Sequence, residues 1–99
     1  MKKLTVRQHR LLVEALRRYT RFYAHFRVDL SDAWTGLGCP SDYAPVVKAG
    51  LMEPTPMGES RGIPSWYKLT RDGAAIVASW LRRGYAFERI EAGDIPPRI

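Results

Sequence analysis

The sequence predicts one α+β domain that is mainly helical, and three observations lead to this prediction. Apolar residues recur at helical spacing from Thr5 to Phe26, and they do so again after Thr70. The residues just before Thr70 alternate in character, as a half-buried strand does. Between two strand-like segments, the stretch "PTPMGESRGIPS" is rich in Pro, Gly and Ser, which is typical of a long hairpin loop. A chain of 99 residues can bury one modest core, so we expect a domain over residues 1–84 and a C-terminal extension over 85–99 that packs on it or on a partner subunit.

The first helix is predicted to begin at Thr5, which forms the T-x-x-Q version of a capping box with Gln8. No Gly or Pro interrupts the chain before Phe26, so the helix could run for about 20 residues. On a helical wheel, one side is apolar: Leu11, Leu12, Ala15, Leu16, Tyr19, Phe22, Tyr23 and Phe26. The other side is charged or polar: Arg7, Arg10, Glu14, Arg17, Arg18, Arg21 and His25. This arginine face is either solvated or follows a phosphate backbone.

Two short helices are predicted in the middle of the chain. Ser31 can cap one over residues 32–37, which the following glycines would end. Ser41 can cap the other over residues 42–49, and Gly50 suits the left-handed position after its last turn. A tight "GCPS" turn would separate the two helices.

A two-stranded hairpin and a further helix complete the predicted domain. Residues 51–53 and 66–70 read as antiparallel strands. In the second strand, Trp66 and Lys68 share one face, whereas Tyr67 and Leu69 share the other. Thr70 is a good N-cap for the next helix, and Gly84 would end that helix.

The net charge of +6 is unevenly distributed along the chain. Residues 1–27 carry a net charge of +7, residues 28–60 carry −4, and residues 61–99 carry +3. A basic first segment is the expected mark of a polyanionic partner, although a solvated surface would look the same. No apolar run reaches the length of a membrane span, and the N-terminus lacks the apolar stretch of a secretory signal, so we expect a cytoplasmic protein that does not bind membranes.

The segment "KAGLMEP…WYKLTRDGAAIVASWL" resembles the winged helix-turn-helix domains of MarR-, PadR- and ArsR-like bacterial transcriptional regulators. In those proteins a helix ends in "xxGLI", a wing hairpin follows, and "YxLTxxG" opens the next helix. The resemblance implies three helices, a two-stranded wing and a further C-terminal helix. In this motif Gly73 lets the first helical turn approach the sheet closely.

The resemblance also implies how DNA would be bound. The helix over residues 41–49 would enter the major groove, and the wing over 55–65 would touch the backbone or the minor groove. The candidate DNA-binding residues are Ser41, Tyr43 and Lys48 on the helix and Ser60, Arg61 and Lys68 on the wing. Charge adds Arg17 and Arg21 from the first helix. The helix over residues 41–49 carries Asp42 and no Arg, Asn or Gln that could make bidentate base contacts.

Two hypotheses for function follow. The first is a small transcriptional regulator that binds double-stranded DNA as a homodimer. The two subunits would contact each other through the first helix or through the apolar residues Tyr85, Phe87 and Ile90. The second is a protein-interaction module, such as an adaptor or a phage- or plasmid-type inhibitor, that meets an acidic protein surface. We expect no metal, because the two histidines and Cys39 lack metal-ligand spacing. We expect no enzyme activity or cofactor, because the sequence places no histidine as a base beside Cys39 or a serine, and the glycine-containing stretches lack the spacing and the lysine of a phosphate-binding loop. Cys39, the single cysteine, is expected to be buried.

Overall fold

The computed structural model describes residues 3–36 and 39–98, and within them the chain is α+β and mainly helical. The helices are α1 (Val6–Arg18), α2 (Pro40–Lys48), α3 (Arg71–Arg82) and α4 (Phe87–Glu91). The strands are β1 (Trp34–Gly36), β2 (Met52–Pro54) and β3 (Trp66–Leu69). A π-helical segment (Tyr19–Tyr23) and a 3-10 turn (Ala24–Phe26) follow α1, and a second 3-10 turn (Leu30–Asp32) precedes β1.

The capping box at the start of α1 is confirmed. The Thr5 hydroxyl accepts from the backbone N–H of Gln8 at 3.1 Å, and the Gln8 side chain accepts from the backbone N–H of Thr5 at 3.0 Å. The helical path continues to Phe26, but its pitch widens at Tyr19 and tightens again at Ala24. This change of pitch rotates the later side chains away from the core. Phe22 and Phe26 are therefore 46% and 79% exposed, although the helical wheel places them on the apolar side with residues that are buried, such as Leu12 and Leu16.

The short helix predicted over residues 32–37 does not form in the described part of that segment. The Asp29 carboxylate, not Ser31, caps a single 3-10 turn by accepting from the Ser31 N–H at 2.9 Å. Trp34 and its two successors then form strand β1. Trp and Thr suit a strand, but β1 forms only because it pairs with β3, about 30 residues further along the chain. A local sequence pattern cannot show that pairing. Residues 37 and 38 lie outside the described residues.

The sheet has three antiparallel strands in the order β1-β3-β2, where the sequence predicted two. Lys68 lies opposite Trp34 on one side and opposite Glu53 on the other. The predicted alternation of β3 is confirmed, because Tyr67 and Leu69 are buried whereas Trp66 and Lys68 are half-buried. One face of the sheet is thus in the core and the other faces outward.

The junction between β3 and α3 is confirmed in detail. The Thr70 hydroxyl accepts from the Gly73 N–H at 3.3 Å and donates to the Gly50 carbonyl, while the Thr70 N–H donates to the Leu51 carbonyl at 3.1 Å. A Cβ on Gly73 would lie 2.9 Å from the carbonyl carbon of Leu51 and closer still to its oxygen. The first turn of α3 therefore rests directly on the backbone that leads into β2. Gly50 and Gly84 have φ of 74° and 87°, as expected for residues that end helices.

The core lies between α1, α2, α3 and the inner face of the sheet. Its largest fully buried side chains include Trp80, Leu12, Leu16 and Met52. The C-terminal segment adds helix α4, which the sequence did not predict, and Tyr85 and Ile90 pack against the core. The ring of Pro96 is fully buried, and the carbonyl oxygen of Pro96 lies 2.7 Å from Nε2 of His9. Residues 85–98 thus pack on the domain of their own chain.

Candidate nucleic-acid interface

Helix α2 begins differently from the prediction. Cys39 occupies the N-cap position and Pro40 is the first helical residue, where its missing N–H leaves no bond unmade. Ser41 is therefore inside the helix and does not cap it, and its Oγ lies 3.0 Å from Sγ of Cys39. Cys39 is exposed, not buried, because the N-cap of α2 lies at the surface.

Tyr43 cannot be a base contact, because its side chain is buried in the core. Its ring stacks on the ring of Tyr67 with centroids 4.2 Å apart and planes 8° from parallel. Burial raises the pKa of Tyr43 and also that of Tyr67. An amphipathic helix of nine residues directs its one large side chain inward, and this corrects the prediction that Tyr43 meets DNA.

The exposed face of α2 is small and of mixed charge. Its exposed residues are Ser41, Asp42, Ala44 and Lys48. Lys48 is the single base among them, and Asp42 is the single acid. Such a face can place one cation and one hydroxyl near phosphates, but it carries no Arg, Asn or Gln side chain to read a base edge by paired hydrogen bonds.

The hairpin loop over residues 55–65 ends in a tight turn. Ser60 and Ile63 form two reciprocal backbone hydrogen bonds of 3.1 and 2.9 Å. Between them, Arg61 and Gly62 have φ of 52° and 77°, the pattern of a type I′ turn. The turn exposes both Ser60 and Arg61 at its tip. Arg61 is thus an exposed cation held in a left-handed conformation that side-chain-bearing residues rarely adopt.

Lys68 lies in the sheet and not on the loop. Its Nζ is 3.4 Å from a carboxylate oxygen of Glu53, the residue opposite it on β2. Because an acid on the adjacent strand compensates this charge, Lys68 is a weaker candidate for a phosphate contact than Arg61.

Arg17 and Arg21 have different surroundings, although the sequence placed them on one face. Arg17 donates to Glu14 at 2.7 Å and to Glu91 of α4 at 3.1 Å, and the hydrogen bond to Glu14 is the main reason that its pKa is raised. The Cζ atom of Arg21 lies 5.2 Å from the ring centroid of Phe22 and 4.7 Å from that of Phe87. Arg17 is compensated by two carboxylates, whereas Arg21 rests on aromatic rings.

The sequence interpretation missed these aromatic contacts. Its one local signal is the alternation of arginines and aromatic residues in "RRYTRFY" (residues 17–23). Nothing in the sequence indicates that Phe87 contacts the arginines, because it comes close to them only through the packing of α4 on α1.

No group of three or more His, Cys, Asp or Glu side chains is placed to hold a metal ion within residues 3–36 and 39–98. Across the same ranges, none of the helices has both the length and the apolar character that crossing a membrane requires. A scan against models of known protein families finds no match, and searches among curated proteins and among solved structures also return none.

Proposed function

We propose that this protein is a winged-helix-type DNA-binding protein that contacts the backbone of duplex DNA through its hairpin loop and α2, and that it acts as a small transcriptional regulator. The observation that carries the proposal is Arg61, an exposed arginine at the tip of a type I′ turn with φ of 52°. A left-handed conformation costs a non-glycine residue about 1–2 kcal/mol. Backbone strain of this kind is concentrated at functional positions in proteins. An arginine at a loop tip can contact DNA phosphates or insert into a narrow minor groove.

The proposal includes a mode of binding. Asp42 lies on the exposed face of α2 and opposes phosphates, whereas Lys48 near the end of the same helix attracts them. Affinity should therefore come from phosphate contacts and depend steeply on salt, with little discrimination between sequences. Two such surfaces in a homodimer would double the number of contacts, and sedimentation at increasing concentration would detect the dimer.

Fluorescence anisotropy with a random duplex across a salt series tests duplex binding. The logarithm of the affinity should fall with the logarithm of salt by about 0.9 for each phosphate neutralised. Arg61→Gly should weaken binding, although glycine suits the turn and the variant should be at least as stable as the natural protein. Arg82→Gln, at an exposed position of α3, removes the same charge elsewhere and serves as the control.

Asp42→Asn gives the opposite expectation. Removing the acid from the exposed face of α2 should strengthen duplex binding several-fold, because the carboxylate no longer repels phosphates. If the natural protein does not bind duplex even at low salt, the proposal is wrong.

A protein-interaction module is the second candidate function, and the exposed face of α2 favours it. That face offers small side chains and one charge of each sign instead of base-reading groups. A domain of this kind would bind an acidic protein surface and not DNA. Failure to bind duplex, together with specific capture of one protein that is lost on Lys48→Gln, would favour this function.

A further inference from the structure

A continuous row of stacked arginine and aromatic side chains crosses the surface from the sheet to α4. We call it the Arg–aromatic stripe and define it by Arg18, Arg21, Phe22, Trp66 and Phe87. The Cζ of Arg18 lies 4.9 Å from the Trp66 ring centroid and 5.0 Å from that of Phe22. The Cζ of Arg21 lies 5.2 Å from the Phe22 centroid and 4.7 Å from that of Phe87. Each guanidinium thus contacts two rings, and Phe22 is contacted by both.

The two arginines of the stripe are not paired with carboxylates within residues 3–36 and 39–98. Arg18 donates through Nε to the Trp34 carbonyl at 3.1 Å, and its terminal nitrogens make no further hydrogen bond to that part of the chain. The side chain of Arg21 forms neither a hydrogen bond nor an ion pair with the described residues. The neighbouring Arg17, in contrast, is held by Glu14 and Glu91. Aromatic faces orient the guanidiniums of the stripe but leave their N–H groups available to an external anion.

The aromatic rings restrict the kind of anion that fits. Phe22 is 46% exposed, and Phe26, four residues further along the same helical path, is 79% exposed. In duplex DNA the bases are stacked on one another and cannot reach such rings. Unpaired bases stack on aromatic side chains and on the planes of arginines, and the adjacent phosphates bind the N–H groups. A row of cations interleaved with exposed rings therefore matches a single strand better than a duplex.

A second copy of this chain fits the stripe poorly, because two such surfaces would bring uncompensated arginines face to face. An acidic polypeptide would satisfy the guanidiniums, but its carboxylates would make no specific use of the exposed rings. Single-stranded nucleic acid can bind the guanidiniums with its phosphates and the exposed rings with its bases.

We propose that the Arg–aromatic stripe binds single-stranded nucleic acid, with Arg18 and Arg21 on phosphates and with bases stacked on the exposed part of Phe22. This site is separate from the loop tip at Arg61 and does not depend on duplex binding. A protein with both surfaces would bind duplex DNA next to an unpaired segment.

The test measures the anisotropy of a fluorescent oligothymidylate of about a dozen nucleotides, a length that matches typical single-strand sites. Arg21→Gln should weaken binding several-fold and lower the salt slope by about 0.7, the value for one phosphate contact on a single strand. Phe22→Leu should weaken binding by about 10-fold, within the range that loss of base stacking gives, whereas Phe22→Trp should retain affinity. Arg82→Gln is again the charge-matched control. Circular dichroism and thermal melting establish that every variant is folded.

Three results would overturn the proposal. The first is no binding of the natural protein at low salt. The second is equal affinity of Phe22→Leu and the natural protein, which would show that the ring does not stack on bases. The third is displacement of the oligonucleotide by polyglutamate of equal charge as readily as by unlabelled oligonucleotide, which would identify an acidic protein as the partner. Arg61→Gly should weaken duplex binding and leave oligothymidylate binding unchanged, so failure of the duplex proposal can be told apart from failure of this one.

Discussion

Replacement of Gly73 by alanine should destabilise the fold, although alanine is the better helix former. Intrinsic propensity favours alanine over glycine inside a helix by about 1 kcal/mol. At this position the added Cβ would lie 2.9 Å from the carbonyl carbon of Leu51 and 3.2 Å from Cδ2 of Leu69. The leucine side chain can move, but the Leu51 carbonyl is fixed because it accepts the N–H of Thr70 at 3.1 Å.

The first turn of α3 must therefore move away from the sheet. This movement would weaken the bond from Thr70 to Leu51, which joins α3 to the segment before β2. Overpacking of a well-packed site costs about 1–3 kcal/mol, and loss of a buried hydrogen bond adds about 1 kcal/mol. After the gain in helix propensity, we expect a net loss of about 2 kcal/mol. For a domain of this size that corresponds to a fall in Tm of about 8–16 °C.

Urea unfolding followed by circular dichroism measures this loss. Ala75→Gly, at an exposed position of the same helix, is the control. Its side chain has no close packing to lose, so the variant should be less stable by about 1 kcal/mol, the difference in helix propensity between alanine and glycine. If Gly73→Ala is as stable as the natural protein or more so, the close approach of α3 to Leu51 is not a constraint and the reasoning is wrong.

Three further predictions concern single interactions. Burial raises the pKa of Tyr43 in the folded state, so the unfolded state ionises first, and the stabilisation linked to this residue is fully present below about pH 10 and declines above it. Urea titrations at alkaline pH should show a smaller decline in the free energy of unfolding for Tyr43→Phe than for the natural protein, and an equal decline would contradict this. Thr5→Ala removes the acceptor of the capping box and should cost about 1 kcal/mol in thermal melts, whereas an unchanged Tm would show that the cap adds nothing. Glu91→Gln removes one partner of Arg17 at the surface and should cost about 0.2–1 kcal/mol, an effect that high salt should abolish.

The candidate site was predicted from the sequence only in part. Arg61 and Lys48 lie where the pattern placed them, on the hairpin loop and on α2, and both are exposed. Tyr43 was a candidate DNA contact but is buried, because a helix of nine residues has too few turns for its pattern to fix which face is buried. Cys39 was expected to be buried but is exposed, because it lies at the N-cap of α2, at the surface. The positions of Arg17 and Arg21 were predicted, but their partners were not, since these partners lie on separate elements.

The sequence by itself determined the features whose cause is local. The capping box at Thr5, the strand alternation around Tyr67 and the cap that Thr70 places on the Gly73 N–H depend on neighbours a few residues apart, so their residue types were sufficient to predict them. The tertiary structure decided the features that need a distant partner. Strand β1 exists because it pairs with β3. The Arg–aromatic stripe exists because Trp66 of β3 lies beside Arg18 at the end of α1, and Phe87 of α4 lies beside Arg21 of the π-helical segment. Contacts between distant segments leave no periodic mark in either segment, and only the folded chain brings them together.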